Sequence, residues 1–573
     1  MKNIIINKNT VILCMLIAVF SSCKKYADPA AIYEEYELGS ETKSARKVLL
    51  ISIDGAVGTE VQKIMPATIS EMIQSSKYTW NGLSDVESND ASTWASMVTG
   101  VSSKTHKILD DSFRPKANPS DPHATATFTP TFLYRIMENR PEYSTVAISP
   151  SNAIVNRLLI EAGTKILVAN DQIVRDSAVY QLTKTNPNVV IAHFDEVNKA
   201  GVGSGFSADN PAYKAAVDKV DGYIGDLLKA LKERPNYDKE EWLVVVTSNH
   251  GGVNKSYGGA TLKERTTLSI FYNPSFKPLE LKSDLVNSVR FYGYDGVGNN
   301  PPGVRAQAID AAGDYNPNTG AITIEAKIKF NKNANGQYAY FVPPFLSKTA
   351  NRSGSTIGWC FLRNNNDIEL YVANGSAKID LKAVDVGNDG LWHTITGVIA
   401  FTGTKYNVKF YVDGSLSAEG SLAGTIPIVS PAPLVLGYWP TVFTTQFVDM
   451  SMANVRIWKK ELSSAVIKSN VCETDVPTTH PDYASLVGHW PAGDGDNTFR
   501  NKVAGKPNFT LSGAFSYSVT NMNSLCEAKA SDILVGNVDI TSQIFYWLKI
   551  DPPVVWGLEG SVFLRRFEVE FIK

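Results

Sequence analysis

Val244 to Gly259 reads VVVTSNHGGVNKSYGG, and this stretch decides the fold. An apolar run, Leu243 to Val246, stands between Trp242 and Thr247 and then breaks into Ser248, Asn249, His250 and paired glycines. A run apolar at every position suits a strand covered on both faces. Polar residues directly after it fall at the sheet edge, where open α/β sheets keep their ligands.

Working outward, Val48 to Ile53 (VLLISI) is a second such run and closes on Asp54-Gly55. Between the two, Phe132 to Asn139 reads as a helix, and Tyr143 to Ser149, Thr164 to Ala169 and Val189 to His193 read as strands. Pro211 to Arg234 repeats apolar residues at Val217, Val220, Ile224, Leu227 and Leu231, a helical stripe. Strands alternating with helices predict an α/β domain with a mostly parallel sheet sandwiched by helices. After the helix turn at Glu264-Arg265 and the strand Leu268 to Asn273, the pattern changes.

From about Ser283 to Ser524 the chain reads as all-β. Strand-like runs recur at Ile322–Phe330, Gly358–Arg363, Ile368–Val372, His393–Ile399, Val408–Val412, Leu434–Leu436 and Met452–Trp458. Gly390-Leu391-Trp392-His393, Lys409 to Gly414 (KFYVDG) and Val455 to Leu462 (VRIWKKEL) resemble laminin-G/concanavalin-like jelly rolls. A helical stretch, Val538 to Ile550, and Leu558-Glu559-Gly560 then return to the character of the first part. The expected organisation is 1–22 signal peptide, 23–47 tether, 48–282 first part of the α/β domain, 283–524 all-β jelly-roll sandwich interrupting it, and 525–573 closing part.

The opening stretch resembles the last metal-ligand segment of the alkaline phosphatase superfamily, in its type I phosphodiesterase/nucleotide pyrophosphatase branch. There the strand ends in Thr-x-Asp-His-Gly, and a second His precedes Gly-Gly. Here those positions hold Asn249, His250 and Tyr257. Asp54 matches the Asp ligand of the first strand; it is also a residue type that caps helices. Ser88 to Lys107 (SNDASTWASMVTGVSSKTHK) resembles the nucleophile region through its Met-Val-Thr-Gly and His106, which puts the nucleophile position on Asp90. Asp90 also reads as an N-cap for a helix beginning near Ser92. The hydroxyls of Ser88, Ser92 and Thr93 are alternatives after a shift of register, with Thr93 the one singled out as a nucleophile.

In relatives a loop Asp-x-x-Gly-His gives one metal two ligands. Over His193 to Val202 (HFDEVNKAGV) it maps the Asp to Asn198 and the His to Val202. Asp195 and Glu196 lie three and two residues too early. The resemblance thus implies one partial metal set, Asp54, Asn249 and His250, and one lost set, Asn198, Val202 and Tyr257. An active relative uses one ion to activate the nucleophile and another to stabilise the leaving oxygen. Two dications about 4 Å apart repel strongly unless anionic ligands offset them, and Asn for Asp at two positions removes two such charges. The expectation is a degenerate centre with no assured cofactor, zinc or another divalent metal being bound if the partial site persists. The alternative is an active, single-metal phosphodiesterase.

Charged residues make up 20 % of the 573, with a formal net charge of −2, so no basic surface marks a nucleic-acid partner. An apolar run, Val11 to Phe20, is shorter than the roughly 20 residues of a membrane span and precedes Ser21-Ser22-Cys23. It resembles a bacterial lipoprotein signal, with Cys23 carrying lipid, and predicts a membrane-anchored protein of the cell envelope, periplasmic or surface-exposed. Ordinary signal cleavage with a structural cysteine is the other reading. The remaining cysteines, Cys360, Cys472 and Cys526, form at most one disulfide within the chain. The expected role is a noncatalytic binding protein for a glycan or a phosphorylated ligand, with Trp439 and Tyr438 as candidate glycan contacts. Aromatic residues of a sandwich serve its core as readily as a sugar.

Overall fold

The computed structural model describes residues 45–117, 126–293, 303–437, 447–492, 496–522 and 531–571. The chain divides into two compact units, residues 1–45 and 46–573. Of the first, only Ala45 is described, so Cys23 lies outside the described residues, as do Tyr438, Trp439 and Cys526.

The α/β part is built on one eight-stranded sheet of β1 (Ala45–Ile53), β2 (Ser76–Leu83), β3 (Thr145–Ser149), β4 (Thr164–Leu167), β5 (Val189–Phe194), β6 (Glu240–Thr247), β7 (Thr266–Tyr272) and β8 (Leu279–Glu280). The spatial order is β4-β3-β5-β1-β6-β7-β2-β8. β4, β3, β5 and β1 pair in parallel, whereas β7 runs antiparallel to both β6 and β2. The expected mostly parallel sheet is therefore present, with its antiparallel pairs on one side.

Both faces of this sheet are covered, which explains the unbroken apolar runs. Along β1 the side chains alternate: Val48 and Leu50 join one core, while Leu49, Ile51 and Ile53 join the other. The first core takes the helices Asp90–Thr99, Phe132–Asn139 and Asn537–Trp547; the second takes Asp171–Lys184 and Pro211–Lys232. From the closing segment, Ile540, Ile544, Phe545 and Trp547 are all essentially buried there. Each such side chain stabilises the fold by roughly 1.5–3 kcal/mol, so the closing helix is integral to the α/β core.

The all-β part has a separate core, drawn from residues between Val286 and Met522. One of its two large sheets runs Ser415–Ala423, Lys405–Val412, His393–Phe401, Ala321–Phe330, Met450–Trp458, Leu285–Phe291, Ser516–Asn521, with Leu486–Trp490 also pairing on Met450–Trp458. The other runs Lys378–Ala383, Asp367–Ala373, Gly358–Asn364, Pro344–Thr349, Leu434–Gly437, Arg305–Ala308, Phe509–Ser512, Thr498–Phe499. Neighbouring strands pair antiparallel, as in the jelly roll expected from the sequence. Where the chain leaves and re-enters the α/β part, the Lys282 amide donates to the Ser531 carbonyl at 2.7 Å. Close chain ends of this kind let a domain be inserted without disturbing its host. Cys472 is disulfide-bonded, and Cys360 is free and buried in the sandwich.

Candidate functional site

The site is assembled at the ends of β1, β5 and β6 and at the start of the helix Asp90–Thr99. Parallel pairing of β1 with β5 sets Ser52 beside His193, and Asp54 follows two residues on, on the same face. His193 Nε2 lies 2.7 Å from Asp54 Oδ2 and donates to it. Trp94 Nε1 lies 3.0 Å from each Asp54 oxygen, and Ser52 Oγ donates to Oδ1 at 3.2 Å. On its other side His193 Nδ1 shares a 2.7 Å hydrogen bond with Ser149 Oγ, and the Trp94 ring packs edge-on against the imidazole. All of these side chains are buried. Burial is the largest influence on His193 and pushes its pKa down, but the charge and hydrogen bond of Asp54 prevail and leave it raised.

Asp90 gathers the second group. Its Oδ1 accepts from His250 Nε2 at 2.7 Å and from Asn249 Nδ2 at 3.0 Å, and its Oδ2 accepts from the Tyr257 hydroxyl at 2.9 Å. His250 Nδ1 lies 2.6 Å from the carbonyl of Gly251. A carboxylate and a carbonyl only accept, so both ring nitrogens of His250 carry hydrogen. The Tyr257 ring stacks on that imidazole, with centroids 4.1 Å apart and planes 4° from parallel. An aromatic face over a cationic ring is favourable. Burial lowers the His250 pKa most strongly, yet Asp90 and the Gly251 carbonyl raise it overall; burial opposes ionisation of Asp90, yet His250, Tyr257 and Asn249 hold its pKa low. Asn249 Oδ1 closes the arrangement by accepting from the amides of His250, at 2.8 Å, and Gly55, at 3.3 Å.

Asp90 is not the N-cap. The helix begins at Asp90, and Asn89 caps it by accepting from the Ser92 amide at 3.0 Å. Asparagine does this as well as aspartate, and the Asp90 side chain is left to His250 and its neighbours. The hydroxyls of Ser88, Ser92 and Thr93 donate to the main-chain carbonyls of Gly259, Ile108 and Asn89. None of them joins the Asp54 or Asp90 groups in these contacts, so Thr93 is held as a helix side chain bonded to its own backbone.

Asn198 and Val202 sit four residues apart on the helix Glu196–Ser204. Val202 is 45 % exposed. Asn198 packs under Gly55: a Cβ there would lie 2.7 Å from Asn198 Cα, and Gly55, with φ +72°, has the conformation that glycine favours. Asn198 Oδ1 is buried without a hydrogen-bond partner. Asp195 and Glu196 pair instead with Lys199 and Lys219, at 2.7 Å each.

The polar atoms of both groups are engaged within the protein. Asp54 accepts from three groups, neither His250 nitrogen has a free lone pair, and Asn249 is engaged through both amide atoms. Among the described residues no group of three or more His, Cys, Asp or Glu side chains is disposed to hold a metal ion. Sequence reasoning missed His193 and Trp94 as members of the site. Their signals were a polar residue near the end of an apolar strand and a tryptophan four positions after Asp90.

Residues 140–262 match the family described as type I phosphodiesterase / nucleotide pyrophosphatase, and residues 305–468 match the concanavalin A-like lectin/glucanases superfamily. Residues 476–564 match a domain of unknown function, which runs from the sandwich into the closing helix. No curated protein matches the chain. Among solved structures, a 2-O GAG sulfatase is 15 % identical, with a TM-score of 0.33 over 40 % of this chain and 65 % of its own. Murine ectonucleotide pyrophosphatase/phosphodiesterase 5 is 18 % identical, with a TM-score of 0.29 over 36 % of this chain and 57 % of its own. A heptameric SAP-like pentraxin from Limulus polyphemus is 13 % identical, with a TM-score of 0.28 over 41 % of this chain and 96 % of its own. The chain spans less than two thirds of the length of the sulfatase and the phosphodiesterase. The chain thus carries a phosphodiesterase-like segment within its α/β part and a concanavalin-like sandwich.

Proposed function

We propose that the α/β domain is a phosphodiesterase-like scaffold that no longer performs metal-dependent hydrolysis, and that the protein binds a glycan or a phosphorylated ligand at the bacterial cell envelope. In this reading a lipid on Cys23 anchors it. The observation that carries the proposal is the donation of both His250 nitrogens to oxygen atoms that only accept, Asp90 Oδ1 and the Gly251 carbonyl. A histidine in that state offers no lone pair to a cation. The partial set of Asp54, Asn249 and His250 is thereby closed by bonds within the protein. The match of residues 305–468 to a lectin/glucanase superfamily supports the binding half of the proposal, since such sandwiches serve many recognition roles.

The test is an assay of purified protein against nitrophenyl phosphate mono- and diesters with zinc, manganese or calcium. The expected result is no turnover above buffer. Turnover that vanishes in Asp54→Ala would overturn the noncatalytic reading and favour a single-metal phosphodiesterase. For the anchor, Cys23→Ala is expected to move the protein from the membrane fraction to the soluble one; an unchanged distribution would exclude lipid at Cys23.

A further inference from the structure

The helix Asn537–Trp547 runs from the Asp54 and Asp90 groups to the opposite end of the sheet. At its start Asn537 Nδ2 donates to the Asn249 carbonyl at 2.6 Å; at its end Trp547 Nε1 donates at 3.1 Å to the carbonyl of Glu241, at the beginning of β6. The first residues of β1 meet that same end. The Arg46 guanidinium lies over the Trp547 ring at 4.9 Å and pairs with Glu241 at 3.1 Å. The N-terminal segment therefore joins the fold here, and the nine residues of β1, at about 3.3 Å each, set Asp54 roughly 30 Å away.

Beyond the helix, Asp551 to Trp556 reads DPPVVW. Pro552, Pro553, Val554 and Val555 are all exposed, Val554 to 97 % and Val555 to 87 %. Single exposed apolar side chains are ordinary, whereas four in succession on a fixed backbone ask for a partner. The two prolines restrict φ, and the amides of Trp556 and Gly557 donate to the carbonyls of Pro553 and Val554 at 2.9 and 3.0 Å. The Trp556 ring packs on Phe545, with centroids 5.4 Å apart, and takes Arg135 over it at 4.7 Å. Trp556 thus anchors the turn to the last part of the helix and leaves the valines in solvent.

Charge around this end does not oppose an anionic surface. Arg140 donates to the Lys549 carbonyl at 3.2 Å, and Arg565 lies over the Tyr546 ring at 5.8 Å. Arg46 and Arg135 are paired with Glu241 and Glu138, and Glu568 accepts from the Tyr546 hydroxyl. Arg140, Lys549, Arg565 and Arg566 then stand against Glu142, Asp551 and Glu568.

We propose that the turn Pro552–Val555 rests on the lipid bilayer that carries the protein, with Val554 and Val555 at the boundary of headgroups and acyl chains, so that the Asp54 and Asp90 groups face away from the membrane. Apolar side chains buried at that boundary drive surface contacts of this kind. The occupant is a bilayer because the anchored chain enters the fold at this end. Lys24 to Ala45 is 22 residues, a reach of at most about 80 Å, so the turn stays at high local concentration near lipid and a weak contact suffices. The inference rests on the anchoring at Cys23 proposed above.

The test uses the mature chain from residue 23, which keeps every described residue, with Cys23→Ala and an N-terminal hexahistidine. Vesicles of phosphatidylcholine, phosphatidylglycerol and a nickel-chelating lipid hold it by its tether whether or not Cys23 is lipidated in cells. A nitrobenzoxadiazole fluorophore is placed at Val554→Cys or, between His250 and Tyr257, at the exposed Lys255→Cys; the parent chain labelled in parallel gives the background, and an unchanged urea midpoint verifies folding. Acyl-chain nitroxide lipids are expected to quench the fluorophore at 554 at least about twofold, to leave that at 255 unchanged, and to lose their effect at 554 when Val555→Asp is added. Quenching at 255 alone, equally at both positions, or at neither would overturn the bilayer contact, and lipid at Cys23 would still be decided separately by the fractionation of Cys23→Ala. Concentration-dependent self-association of the untethered chain that Val554→Asp/Val555→Asp abolishes would assign the turn to a second copy and overturn the proposal as well.

Discussion

His193 Nε2 and Asp54 Oδ2 lie 2.7 Å apart in a buried pocket, although 139 residues separate them in the chain. The β1–β5 register brings them together, and Trp94 supplies a further donor to the same carboxylate. The residue that the sequence nominates as a metal ligand thus has an imidazole and an indole N–H for neighbours. Asp90 repeats the theme with His250, Asn249 and Tyr257. Each of the two carboxylates thus has an imidazole as a partner within the protein.

His193→Ala is therefore expected to be strongly destabilising. It leaves the Asp54 carboxylate buried without its imidazole, and removal of one partner of such a pair costs about 3–5 kcal/mol. Urea unfolding measures the loss, and adding Asp54→Asn is expected to recover part of it. A loss below about 1 kcal/mol would mean that Trp94 and Ser52 suffice and that His193 is incidental.

Chelation is expected to leave stability unchanged. A protein holding an ion at 100 times its dissociation constant gains about 2.7 kcal/mol from it, a shift readily seen in thermal unfolding. Melting with EDTA and with added zinc is expected to give the same midpoint, and elemental analysis less than one tightly held ion per chain. Two retained ions would show that replacement ligands exist.

Much of this architecture is legible in the sequence, for a physical reason. Strands covered on both faces are apolar throughout, so Val48 to Ile53 and Leu243 to Val246 announce themselves and their polar ends. The inserted sandwich shows through its recurring short strands and its change of composition. What escapes is pairing across the fold. Nothing near His193 in the chain says that it faces Asp54, because that depends on which strands are neighbours and in what register. The cap escapes by one residue: Asn89 and Asp90 are adjacent and equally suited, and only the Ser92 amide, bonded to Asn89 Oδ1, distinguishes them. The aromatic pair nominated for sugar binding, Tyr438 and Trp439, lies outside the described residues.

Acid is expected to weaken the fold through two buried histidines outside the Asp54 and Asp90 groups. His489 has its pKa lowered to about 3, first by burial and then by Arg456 and Lys502, with Asp475 opposing. His106 is lowered to about 4, chiefly by burial, with Asp85 and Glu559 opposing and Lys107 adding to the effect. Each has a folded pKa below its unfolded value near 6.5, so the unfolded chain takes up protons first as pH falls. Their stability contribution is complete above about 6.5 and declines from there toward pH 4 and 3. Denaturant midpoints measured from pH 7.5 to 4.5 are expected to fall, and less steeply in His489→Asn. An equal slope in that variant would assign the acid limb to carboxylates.

Asn249→Asp provides the sharpest contrast between the two readings of the site. By resemblance the substitution restores a metal ligand, so a persisting single-metal centre should gain zinc affinity from it. The hydrogen bonds argue the reverse. Asn249 Nδ2 donates to Asp90 Oδ1 at 3.0 Å, and an aspartate in its place would turn a donor into a second anion against that carboxylate. One lost hydrogen bond with a buried acceptor left short costs about 1–3 kcal/mol, and like-charge repulsion adds to it. We expect Asn249→Asp to lower the urea midpoint without zinc uptake, and the exchange Asn249→Asp/Asp90→Asn to regain much of the loss, because one amide and one carboxylate again face each other. Zinc bound stoichiometrically by the single variant, with stability raised by the metal, would instead show that Asp54 and His250 can release their present partners.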